Sequence, residues 1–277
     1  MIAKLGLGKV RWGVHLGLIL SCLLVGVPIL YALTTATHTS AEIFSYPPQL
    51  RPGTQLLRNV ETVLNDFGLL QFMANSTFVS LAVTLGKTIL SILAGMAFVY
   101  FDFPFKGPIF WFVLLTLMMP TQILIVSLFQ FVADLDWGNT YWALTMPFLA
   151  SATGVFLFRQ HFSNVPAELA DAARIDGAGP VLFMWRVLIP LSWNTIGALA
   201  VIQFVYMWNQ YLWPLIIIND NERQVVQVGL NMLISGQDAT NWGPVMAGAV
   251  IATLPPLFVF VLLQRQFLKG FAFSTEK

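Results

Sequence analysis

Charge is what this chain has least of: 10% of its 277 residues are Asp, Glu, Lys or Arg, against 57% apolar. Soluble domains carry about 25% charged residues, and a water-facing surface cannot be covered with so few. A soluble globular fold is excluded on that ground. Histidine and cysteine are scarce as well. His15, His38 and His161 are scattered, and Cys22 is alone in an apolar run. That leaves no ligand spacing for a metal and no internal disulfide. No carboxylates pair within the apolar stretches, so a hydrolytic acid–base couple has no support. With a net charge of +1 there is no basic patch for nucleic acid.

Long apolar runs are what remain. A helix crossing the hydrocarbon core needs about 20 mostly apolar residues. Six segments meet that requirement, at about 12–36, 72–101, 107–133, 139–158, 191–218 and 243–268. The expected fold class is therefore all-α integral membrane, with six transmembrane helices. Lys4, Lys9 and Arg11 precede the first run as in a secretory signal. The run is too long for a signal core, and no A-x-A-like site follows it, so it is expected to remain as a span. Pro120 and Pro147 interrupt two spans, Pro214 lies near the end of the fifth, and the sixth contains Pro255-Pro256. Each proline frees a backbone carbonyl that must find a partner in protein or a wet cavity. Four such places suggest kinked helices around a pathway, although a membrane helix also tolerates single prolines.

Lys and Arg in the connections set the orientation. Ten fall on the side of both termini and three on the other, with Lys87 inside a span. The excess marks the cytoplasmic side, which predicts an N-in/C-in arrangement. The chain then divides into a cytoplasmic N-terminus (1–11), a first span (12–36) and a long extracytoplasmic loop (37–71). A core of five further spans (72–268) follows, with a main inner connection at 159–190, and a cytoplasmic tail (269–277) ends the chain.

That inner connection is unusual. Pro166 suits a first helical turn, Glu168 the positive end of a helix dipole, and Gly177 a helix stop. A short helix over 166–176 is expected. Ala170, Ala172 and Ala173 keep its sides small, and Leu169 is its one large apolar residue on the Ala172–Ala173 face. Such a helix suits docking into a groove.

Asp171-Ala172-Ala173, three residues, Gly177, nine residues, then Val187-Leu188-Ile189-Pro190 resembles the cytoplasmic coupling motif of ABC importer permeases. The family pattern is Glu-Ala-Ala, three, Gly, nine, Ile-x-Leu-Pro, so Asp, Val and Ile here are like-for-like replacements. Glu168-Leu169 and Arg174–Ala178 match too. Asn75-Ser76, Trp208-Asn209, Pro214-Leu215, Gln264-Arg265 and Gly270 resemble the type I carbohydrate importers. Thr84–Lys87, Ala150–Thr153, Phe156–Gln160 and Trp208–Leu215 are more narrowly similar to the permeases of glycerol-3-phosphate importers.

The resemblance implies a type I ATP-driven importer permease of the bacterial cytoplasmic membrane for a small polar solute, glycerol-3-phosphate or a related glycerol or sugar compound. It implies a homologous second permease, two cytoplasmic ATPase subunits and an extracytoplasmic binding protein as partners. The chain itself would bind no cofactor, ATP and Mg being used by the ATPase. Glu168, Asp171, Ala172, Ala173, Gly177 and Pro190 would form the ATPase-coupling region. An importer for a neutral sugar or oligosaccharide is the alternative.

Gly86-Lys87-Thr88 is not a phosphate-binding loop, because position 81 is Leu and the residues lie mid-span. Lys87 is therefore a charge that needs a reason. It suits a pathway for an anion, an ion pair with the second permease, or carbonyls at a kink. Gln203, Tyr206 and Gln210 recur at helical spacing and predict a polar stripe that either lines the pathway or joins helices. Asn209, Asn75 and Gln122 are candidates for the same two roles. A secondary transporter would call for carboxylates inside the spans, and there are none. A membrane scaffold without transport activity would have no use for a coupling helix.

Overall fold

The computed structural model describes residues 12–47, 49, 51–120, 123–235 and 241–271. Among these the regular structure is entirely helical. The chain divides into two compact units, one of 1–68 with 232–251 and one of 69–231 with 252–277.

In the first unit, α1 (Trp12–Thr35) is apolar and exposed along nearly its whole length, with Pro28 inside it. The polar stretch after it is locally tied down. Buried Asn59 donates from its amide to the carbonyls of Ala36 (2.8 Å) and His38 (3.0 Å), covering the end of the helix. A reciprocal Thr39–Glu42 capping box opens Ser40–Ile43. The Thr39 backbone N–H, and then its hydroxyl, hold the Glu42 carboxyl below its usual pKa.

The second unit is organised by α2 (Leu69–Tyr100), at 32 residues about 48 Å long. One face carries Asn75, Ser76, Ser80, Thr84, Lys87, Thr88 and Ser91, all buried; Phe78, Leu81, Leu85, Ile89, Leu90 and Leu93 are exposed. A water-soluble helix has the reverse distribution. Polar and small residues inside and large apolar residues outside belong to a helix solvated by lipid.

Proline positions explain where the later helices break. The ring of a proline collides with the carbonyl four residues earlier and removes one hydrogen bond. Accordingly α3 (Lys106–Thr116) stops at Thr116, four residues before Pro120, and α4 (Ile125–Asp134) starts afresh. The expected continuous span 107–133 is thus two short helices. α5 (Tyr141–Phe148) tightens into a 3-10 turn around Pro147 and meets α6 (Ala152–Ser163) at 41°. After α7 (Ala167–Ile175), α8 (Pro180–Leu191) bends by 78° into α9 (Trp193–Trp208). The expected span 191–218 is therefore split. α9 ends at Trp208, and α10 (Leu212–Ile217) follows a break at Gln210, four residues before Pro214.

α11 (Val226–Ser235) and α12 (Trp242–Phe271) complete the chain, and α12 runs unbroken through Pro255-Pro256. α1, α2 and Trp242–Gly270 of α12 are each long and apolar enough to cross a membrane, and each bent pair adds one if counted as a single span.

Two of the proline-freed carbonyls have identifiable partners. Ala143 O, four before Pro147, accepts from the Trp213 indole at 2.9 Å. Ala252 O, four before Pro256, accepts from the Trp208 indole at 3.1 Å. Both tryptophans are buried. Neighbouring side chains therefore restore what proline removes, as membrane burial requires.

The helices approach closely where glycine allows it. A Cβ on Gly95 would meet the Phe158–Arg159 backbone of α6, and one on Gly154 would meet Ser91. These contacts set α2 directly against α6.

Candidate functional site

α7 is the helix expected over 166–176. Its first helical residue is Ala167, with Pro166 standing extended just before it as the cap. At the other end Gly177 has φ +73°, the left-handed conformation in which glycine carries no side-chain penalty. Ala178 N–H donates to Ala173 O (2.8 Å) and Gly177 N–H to Arg174 O (3.0 Å), which is the Schellman pattern. A Cβ on Gly177 would meet nothing, so backbone conformation alone accounts for glycine there.

The small residues of α7 divide between two faces. Ala170 and Ala173 turn inward onto a cluster of Met96, Phe158, Phe162, Phe183 and Leu188. Tyr100 stacks edge-on against Phe183 at 5.2 Å. A cavity of about 250 Å³ lies beside this contact, lined in part by Tyr100, Ala173, Arg174 and Phe183. Glu168, Leu169, Asp171, Ala172 and Ile175 are exposed, with Ile175 at 86% and Leu169 at 40%. The Asp171–Arg174 pair (3.0 Å) is exposed on both sides and contributes little.

Of the alanines in the motif, only Ala172 is thus open to a partner, since Ala173 seats α7 on its own chain. Pro190 is exposed on α8 and follows a π-helical turn at Met184–Leu188. That turn contains Arg186, whose carbonyl Pro190 cannot bond.

The second group of residues lies along the buried face of α2. Lys87 is 7% exposed, and its ammonium donates to Gln203 Oε1 on α9 at 2.9 Å. It also sits 5.3 Å from the ring centre of Tyr206, a cation–π geometry. Among the described residues no carboxylate lies within salt-bridge distance of it. Ser80, Thr84 and Ser91 flank it on the same face, and their buried hydroxyls have no hydrogen-bond partner among the described residues.

The structure separates the other expected pathway residues. Gln203 and Tyr206 lie on α9, but Gln210 falls beyond its end, so the three-residue stripe is cut to two by the break that Pro214 imposes. Exposed Asn209 bonds back to Val205 O (2.9 Å) and accepts from Gln227 (3.2 Å). Asn75 is saturated. It donates to Glu222 O (2.7 Å) and Gln224 O (2.8 Å), and accepts from Tyr141 (2.9 Å) and Gln71 (3.2 Å). Such a site holds the 219–226 segment in place, helped by Ser76, which accepts from Val226 N–H at 2.8 Å. Gln122 lies outside the described residues.

An all-helical chain with a lipid-type surface, bent helices and a motif helix seated on the inner core has the architecture of an ABC importer's membrane subunit. A chain of a bacterial ABC transporter involved in the import of the acidic polysaccharide alginate has the same fold. Its TM-score is 0.79 at 20% identity, covering 92% of this chain and 96% of that one. Residues 87–272 match the family described as the binding-protein-dependent transport system inner membrane component, and the chain belongs to that family. It is a permease of the bacterial inner membrane and not an enzyme.

Its relatives agree along nearly their full length. The sn-glycerol-3-phosphate transport system permease protein UgpE of Agrobacterium fabrum is 43% identical over 95% of this chain and 96% of the relative. The UgpE proteins of Rhizobium meliloti and Pectobacterium atrosepticum are 41% and 42% identical, each at the same coverage of both chains.

Proposed function

We propose that this permease imports glycerol-3-phosphate or a closely related glycerol phosphate, driven by ATP hydrolysed on separate subunits. The observation that carries the coupling is α7, which is anchored on its own chain by Ala170 and Ala173 and presents Leu169, Ala172 and Ile175 outward. An exposed apolar patch rimmed by Glu168 and Asp171 is the surface of a docking helix. Because α7 rests on the ends of α2, α6 and α8, a rigid-body shift of an ATPase bound there passes directly into the membrane helices.

The assembly on this reading has a homologous second permease, two cytoplasmic ATPase subunits using ATP and Mg, and an extracytoplasmic binding protein. Six spans with both termini in the cytoplasm follow from the excess of Lys and Arg on the α7 side. The broken 107–133 segment, the two bent pairs and three long helices make up those six. Lys87, Gln203 and Tyr206 are its pathway residues, while Asn75 holds the outer connection. The substrate follows from the full-length relatives, whose names specify sn-glycerol-3-phosphate.

Co-purification from the membrane tests the coupling. Leu169→Asp and Ile175→Asp leave the permease extractable and folded, but the ATPase is lost from the complex. An intact complex with undiminished ATP-driven uptake would overturn the assignment of α7.

A further inference from the structure

Lys87 carries a charge to the middle of a lipid-facing helix, a position that strongly disfavours an ammonium. Its partners are neutral: an amide oxygen at 2.9 Å and an aromatic face. A structural lysine at such depth is normally matched by an acid, and none is supplied by the described residues. The cation is left in excess.

Its surroundings are polar to a degree that one lysine does not require. Ser80, Thr84, Lys87 and Ser91 fall on one face of α2. Serine and threonine in a membrane helix ordinarily bond back to the carbonyl four residues earlier, as Thr77 and Thr88 do at 2.7 Å. Ser80, Thr84 and Ser91 do not, and their hydroxyls are buried with no partner among the described residues.

The α9 side leads outward. Gln203 is buried, Tyr206 one turn on is 41% exposed, and exposed Asn209 and Tyr211 flank the break before α10. Broken backbone at membrane depth persists only within protein or beside water. Polar side chains thus follow one another along α9 from that break, through Tyr206 and Gln203, to Lys87.

We infer that Lys87, with Gln203 as its exchangeable partner, is the point that receives the phosphate group of the solute during passage and discriminates for it against uncharged solutes. This rests on the importer reading above and deepens it. A phosphomonoester brings a charge of about −1.5 to −2 and three acceptor oxygens, and an ammonium binds it as a point charge. In the resting state the Gln203 amide oxygen holds the ammonium. On arrival of the anion a phosphate oxygen takes that place, and Tyr206 stays beside the cation. A neutral solute offers nothing to displace Gln203. The interaction reads the headgroup and not the glycerol.

The assembled transporter, reconstituted in vesicles with its ATPases and binding protein, tests this through wild type and three variants. Wild type must first accumulate glycerol-3-phosphate; if it does not, the importer reading itself fails, and Lys87 is not the cause. Given that, Lys87→Met keeps assembly and binding-protein-stimulated ATP hydrolysis but loses uptake by roughly tenfold to a hundredfold, the factor for one charge-assisted contact. Lys87→Arg retains a measurable part of it. Gln203→Leu, which removes the resting partner and leaves the cation, keeps assembly and loses less uptake than Lys87→Met.

Undiminished uptake in Lys87→Met would overturn the inference. Loss of assembly in both Lys87→Met and Gln203→Leu would also overturn it, making the pair a structural pin. If Lys87→Met alone fails to assemble, Lys87→Arg decides. In an intact Lys87→Arg complex, uptake kept for glycerol-3-phosphate and not gained for glycerol supports the phosphate role, and equal uptake of glycerol and glycerol-3-phosphate would overturn it.

Discussion

Asn75 and Lys87 lie about three turns apart on one buried face of α2, and their partners set their roles. Asn75 has every hydrogen-bonding position filled, by Gln71 on its own helix and by groups on two other segments. Asn75→Ala takes their partner from the Gln224 carbonyl and the Tyr141 hydroxyl and leaves the Glu222 carbonyl to Gln71 alone, for a loss of about 1–3 kcal/mol. The expected outcome is a lower unfolding midpoint and faster proteolysis of 219–225, with the solute preference unchanged; a shift in preference would move Asn75 into the pathway. Lys87 was conspicuous in the sequence because charge is so rare. Its partner was not, because Gln203 is neutral and 116 residues away. A search confined to carboxylates could not find it. Similarly, nothing in the sequence distinguishes Ser80 and Thr84, which have no partner among the described residues, from Thr88, which bonds to its own helix.

At the scale of the element, prolines were readable and their consequences were not uniform. Pro120, Pro147 and Pro214 end or bend helices, whereas Pro255-Pro256 leaves α12 continuous. An indole reaches the freed carbonyl both at Pro147, where the helix bends, and at Pro256, where it does not, so the partner satisfies the carbonyl without deciding the bend. Trp208 and Trp213 provide two such contacts, though in the sequence they resemble any other lipid-facing aromatic. Trp208→Phe and Trp213→Phe keep the ring and remove the donor, so each lowers stability by about 1–3 kcal/mol, read as the thermal midpoint of the purified complex. An unchanged midpoint in both would remove the indoles from the account of the prolines.

α7 offers a sharper division. Its position, its glycine stop and its small residues were legible, but which alanine faces outward was not. Ala173→Leu crowds the cluster around Phe183 and should lower the yield of folded permease itself. Ala172→Leu, on the exposed face, leaves the permease intact and weakens ATPase binding, which pull-down of the ATPase measures. Equal effects of the two on permease yield would contradict the division.

For the whole molecule, the inverted distribution of polarity carries the reading. Scarcity of charge and long apolar runs announce a membrane protein, and the inward-polar, outward-apolar face of α2 is the structural form of the same fact. The ratio of basic residues fixes the expected orientation. Labelling can check it, since Cys22 is the sole cysteine. On a Cys22→Ser background, Glu222→Cys reacts with an impermeant maleimide in intact cells and Asp176→Cys only after permeabilisation. The reverse pattern would invert the topology.

The central claim is that this permease moves a phosphorylated glycerol by coupling to ATP on other subunits. Accumulation of labelled glycerol-3-phosphate in vesicles containing the reconstituted complex measures it most directly. The account predicts uptake that requires both ATP and the binding protein and that persists when proton and sodium gradients are collapsed. Uptake driven by an ion gradient without ATP, or none with every subunit present, would contradict it.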